Sequence, residues 1–138
     1  MRFRPGHLPL ADAVLAPDFA RPAPIIVEGT ADEWSAAADS VGVASRSLLA
    51  AAPATVAVVH GPLEPSVRAM LAPFDLVADG VDPESTSNAW LDAFAAHPQA
   101  ATVLAHTLRA PPSLVTESFA FSMLQAGPEH TRWLAGRE

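Results

Sequence analysis

The chain has 138 residues, half of them apolar, which is enough to enclose one hydrophobic core as a single domain. Its net charge is −7 and its eight basic residues, all Arg, are scattered, which excludes the basic patch that a nucleic-acid partner requires. The absence of cysteine and lysine excludes disulfides, thiolate metal sites, a cysteine nucleophile and a lysine Schiff base.

At the N-terminus, Arg2 and Arg4 precede an apolar stretch broken by Pro9 and Asp12, a pattern that fits neither a signal peptide nor a membrane span. A cytoplasmic protein without membrane association is expected. Pro24 to Glu28 (PIIVE) is a β-branched run bounded by Pro and Gly29, and Ala54 to Val59 (ATVAVV) is a second, ending at His60-Gly61. Both read as buried parallel strands. Between them, Val41 to Ala52 carries Val43, Ser47 and Leu48 at helical spacing, and a third strand, Phe74 to Ala78 (FDLVA), follows another helix. This order predicts a right-handed β/α stack.

From Pro83 onward the pattern is helical. Ser87 is placed as a cap before Asn88 to Trp90, and apolar residues recur through Trp90, Phe94, Val103 and Leu104. Pro98 and Pro128 suit the first turns of helices, and Gly127 suits the end of the one containing Leu114, Phe121 and Leu124. Trp133, within Glu129 to Arg137, reads as a packing anchor. The expected fold is α/β, one domain over residues 1–138, with a β/α core at about 20–80 and C-terminal helices at about 85–138.

The five histidines, His7, His60, His97, His106 and His130, show no metal-binding spacing, so no metal is expected. Ser66 and Ser122 lack a nucleophile elbow, and neither a G-x-G-x-x-G turn nor a P-loop occurs, so no cofactor is expected. Asp79, Asp82 and Glu84 read as a solvated acidic loop after the third strand.

Ile25 to Asp39 (IIVEGTADEWSAAAD) resembles the strand and turn of the crotonase (enoyl-CoA hydratase/isomerase) superfamily. Gly29 falls at that family's Gly, Trp34 at its aromatic, and Ser35, Ala36, Ala38 and Asp39 at the residue types that follow, with Ala37 where the family has Gly. Val56 to Val77 (VAVVHGPLEPSVRAMLAPFDLV) is similar to the family's strand, His-Gly turn, helix and Asp-Leu-Val strand, including the fourteen-residue step from Gly61 to Asp75. The family's glycine triplet is here Pro65, Ser66 and Val67, and its helix carboxylate is Ala69. Leu114 to Arg137 looks like the family's closing helices, while the long stretch that precedes them, with the second catalytic carboxylate, is missing.

The resemblance implies a crotonase-like stacked β/α core with a C-terminal helical region. It also implies a coenzyme A thioester as possible substrate, and the backbone N–H groups of Ala36 and Ser66 as an oxyanion hole opening into one cavity. Without the family's carboxylates, hydration of an enoyl-CoA is not expected, and Asp79, Asp82 and Glu84 are the candidates for a rebuilt acid or base. Two readings follow. One is an auxiliary or pseudo-enzyme subunit pairing with a full-length crotonase homologue. The other is an active isomerase, lyase or decarboxylase that relies on enolate stabilisation alone. Trp90, Phe94, Phe119, Phe121 and Trp133 offer more aromatic surface than a short core absorbs, which predicts a homo- or hetero-oligomer.

Overall fold

The computed structural model describes residues 2–7, 22–39, 41 and 52–137. Among these residues, four parallel strands lie side by side in chain order: β1 (Arg2–Phe3), β2 (Ile25–Thr30), β3 (Thr55–His60) and β4 (Leu76–Asp79). Helix α1 (Ala31–Ala36) follows β2, and α2 (Pro65–Met70) connects β3 to β4. Beyond the sheet come α3 (Pro83–Ala96), α4 (Pro98–Arg109), α5 (Leu114–Ala126) and α6 (Pro128–Ala135). The chain is therefore a small α/β domain with a parallel sheet flanked by helices. Most of the helix expected over Val41 to Ala52, including Val43, Ser47 and Leu48, lies outside the described residues.

The two faces of the sheet are separated by the alternation of side chains along each strand. Ile25, Val27, Ala57 and Val59 point to one side and pack with Trp34 and Ala37 around α1, and with Val67, Leu71 and Phe74 around α2. Ile26, Val56 and Val58 point to the other, where Trp90 and Leu91 of α3 cover them. Covered on both faces, β3 is buried at every residue except His60, which explains its unbroken apolar run. Trp34 is fully buried, donates its indole N–H to the carbonyl of Val58 at 3.2 Å and meets Phe74 edge-on.

Several boundaries differ from the sequence expectation. β2 continues through Gly29 to Thr30, which pair with Val59 and His60 of β3, and Pro5 packs against Gly29 so closely that a Cβ there would come within 2.8 Å of the proline ring. The short edge strand β1 was not expected; its two residues pair with Ile26 and Val27. β4 begins at Leu76, not Phe74, since Asp75 just before it is engaged with Thr55. The cap of helix α3 lies five residues before the expected one: Asp82 accepts from the Ser85 amide at 2.8 Å and Pro83 occupies the first turn. Ser87 is not a cap but a buried residue on the sheet side of α3, its hydroxyl donating to the Glu84 carbonyl at 3.0 Å. The starts at Pro98 and Pro128 and the stop at Gly127 fall as expected.

Candidate functional site

The two amides assigned to an oxyanion hole sit in different local settings. Thr30 and Glu33 form a reciprocal capping box, Glu33 N–H to Thr30 Oγ1 at 3.2 Å and Thr30 N–H to Glu33 Oε2 at 2.8 Å. This starts α1 at Ala31, so Ala36 is the last residue of the helix and its N–H belongs to the internal hydrogen-bond ladder. Ser66 is the second residue of α2, behind Pro65, where an amide has no intrahelical partner. Ala36 lines a shallow cleft with Arg4, Pro5, Gly6, His7, Glu33 and Ala37, and Ser66 is not among its walls. Val67 of α2 is buried in the core, and Ala69 of the same helix is exposed.

The three acids at the end of β4 and just after it have separate surroundings. Asp79 ends β4 and pairs with Arg68 of α2, and Asp82 is occupied as the cap of α3. Glu84 instead joins a group with Glu28 of β2 and His60 of β3, whose ligand atoms all lie within 4.8 Å of one another. Its construction follows from strand and helix periodicity. Glu28 pairs with Val58 and Thr30 with His60, so Glu28 and His60 follow Ile26 and Val58 on the α3 side of the sheet. On α3, Glu84, Ser87 and Leu91 occupy positions i, i+3 and i+7, the stripe that faces the strands.

Within this group, His60 Nε2 is 3.1 Å from Glu28 Oε1, and Arg2 Nη1 lies 2.6 Å from Glu28 Oε2. The hydrogen bond from His60 is the largest cause of a Glu28 pKa below the ordinary carboxylate value; Arg2 adds to it, and partial burial opposes it. The Glu84 carboxylate has no hydrogen-bond or ion-pair partner among the described residues. Reading histidine spacing along the chain missed this group, because its members come from three elements. The signal that was available is a glutamate closing the apolar run PIIVE and a histidine closing ATVAVV, charged and polar residues at equivalent ends of two buried strands.

A groove of about 590 Å³ lies between α3, α4 and the turn before β4, with Phe74, Trp90, Phe94, Leu104 and Leu108 among its walls. Asp75 and Arg109 close one end as a largely buried ion pair. Asp75 Oδ2 accepts from the Thr55 amide at 2.6 Å and Thr55 Oγ1 at 3.0 Å, while Arg109 Nε donates to Oδ1 at 2.9 Å and Nη1 to the Ala52 carbonyl at 2.8 Å. The pair clamps α4 to the sheet.

Among the described residues, the aromatic surplus is confined to the last helices. Phe94 is buried and Trp90 half-buried, so neither belongs to it. Leu114, Val115, Phe119, Phe121 and Met123 of α5 are between 58% and 82% exposed, and Trp133 and Leu134 of α6 are about half exposed. No residue of α5 is buried. Among the described residues, no helix is long and apolar enough to cross a membrane. Comparison with protein-family models, curated proteins and solved structures finds no match for the chain.

Proposed function

We propose that the protein is a crotonase-like auxiliary subunit, without hydratase activity of its own, that assembles with a full-length enoyl-CoA hydratase/isomerase homologue and acts at or near its acyl-CoA thioesters. The reading rests on the sequence resemblance, and the observation that supports it most is α5: an apolar helix of thirteen residues with none buried. Five large apolar side chains of one helix, Leu114, Val115, Phe119, Phe121 and Met123, stand exposed, and nothing described in this chain covers them. Ala69, in the place of the family's carboxylate, supports the non-catalytic half of the reading. The alternative, an enolate-stabilising isomerase, lyase or decarboxylase, draws support from the free amide of Ser66 but needs Ala36 to release its amide from α1.

The test is sedimentation of the purified chain, alone and mixed with a full-length crotonase from the same cells, together with a crotonyl-CoA hydration assay. An oligomer or a mixed complex, dissociated by Phe119→Ser with Phe121→Ser, and no measurable hydration are expected. Loss of a general base alone lowers rates by roughly 10²–10⁴-fold. A monomer at micromolar concentration that binds no crotonase overturns the subunit reading, and robust turnover overturns the non-catalytic one.

A further inference from the structure

We infer that Glu28, His60 and Glu84 form a binding site for a divalent transition-metal ion, of which zinc fits best. An imidazole nitrogen and two carboxylate oxygens are a donor set suited to zinc, whereas magnesium and calcium favour oxygen alone. Bond lengths of about 2.0–2.2 Å place neighbouring ligand atoms of a tetrahedral zinc about 3.4 Å apart. Glu28 Oε1 and His60 Nε2, at 3.1 Å, already have nearly that separation, and all three ligand atoms fall within 4.8 Å. Glu84 is the exposed member, on the first turn of α3, so a change of its side-chain rotamer closes the remaining distance.

The charges point the same way. Arg2 engages Glu28 through Oε2 and leaves Oε1 directed at His60, so two carboxylates and an imidazole face each other with one guanidinium to offset them. An ion accepts the Nε2 lone pair of the neutral imidazole, whose single ring proton then sits on Nδ1, and it relieves the repulsion between Glu28 and Glu84. Backbone rigidity at two of the three positions comes from adjacent parallel strands in fixed register. The third ligand is aimed by the helix whose other sheet-facing residues are packed. This inference does not depend on the assembly proposed above.

The experiment titrates the chelator-treated full chain with Co²⁺ alone, following visible absorption, and then displaces cobalt with Zn²⁺ under calorimetry. One ion per chain, with the intense absorption of four- or five-coordinate cobalt, is expected. His60→Ala abolishes the signal, Glu84→Gln weakens binding at least about tenfold, and His97→Ala, at an exposed histidine outside the group, leaves it unchanged. Glu84→Gln alters an exposed side chain, so it reports even where His60→Ala fails to fold, and circular dichroism confirms the fold of each variant. Folded wild-type protein that takes up no cobalt overturns the inference, as does uptake unaffected by Glu84→Gln.

Discussion

His106 shows how one side chain sets a pH dependence. Its Nε2 is buried with no hydrogen-bond partner among the described residues. Its pKa is held below the ordinary 6.5, first by burial and then by the nearby Arg109 guanidinium, with Asp75 acting in the opposite direction. The unfolded chain therefore takes up a proton on this ring at a higher pH than the folded one. The stability contributed is complete above the unfolded pKa and is lost as pH falls through the folded value. Thermal midpoints measured from roughly pH 7.5 down to 5.5 should fall in the wild type and fall less steeply in His106→Leu, which also removes the unpartnered nitrogen. An unchanged slope in the variant would refute the assignment. Glu28 and Glu33, whose pKa values are also lowered, act in the same direction but below the ordinary carboxylate value of 4.5, outside that window.

At the scale of elements, the helical region is fastened by a side chain used as a cap from a distance. Glu129 of α6 accepts from the amides of Gln99 at 2.7 Å and Ala100 at 3.0 Å, the free donors at the start of α4. Gly127, just before α6, is packed so closely on the Gln99 side chain that a Cβ would come within 2.2 Å of it. Glu129→Ala should cost about 0.5–2 kcal/mol, the range for a lost helix cap, read by urea denaturation. Cleavage by protease between α5 and α6 should rise with it. Much of this level was legible in the sequence. Proline starts, the glycine stop and the two apolar strand runs each follow from local backbone chemistry, and the structure has them within a few residues. What could not be read is what depends on pairing: β1 is too short to carry a pattern, and the link from Glu129 to α4 spans thirty residues. Glu28, His60 and Glu84 meet only after two strands register and a helix folds over them. The cap at Ser87 was misplaced for a different reason, since Asp82-Pro83 is an equally local signal. The T-x-x-E at Thr30 to Glu33 is another, and it carries α1 through Ala36.

Across the whole molecule, the helices beyond the sheet are held by α3 packing and by the ion pair between Asp75 and Arg109, with side chains only 12% and 14% exposed. Breaking a buried pair from one side leaves the other charge uncompensated and costs about 3–5 kcal/mol. Asp75→Ala should therefore destabilise the fold by up to that amount, and helix loss by circular dichroism should precede the exposure of Trp34, read by fluorescence quenching with Trp90 and Trp133 replaced by Phe. Coincident transitions in the variant would show that the sheet and the helices remain one cooperative unit without the clamp.

The order β1-β2-β3-β4 bears on how the chain emerges during synthesis. Each new strand joins the edge formed by the strand before it, so the sheet can grow by addition at one side and never has to open for a later insertion. Sequence separation between paired strands stays modest, which shortens the search that makes parallel sheets slow to form. The central strand β3, however, stays uncovered on one face until α3 has been made, and the long-range tie from Arg109 to Asp75 closes later still. A ribosome-bound chain ending before residue 83 would thus expose Ile26, Val56 and Val58, and the interval before α3 arrives is when a chaperone or a neighbouring nascent chain would find the apolar face accessible.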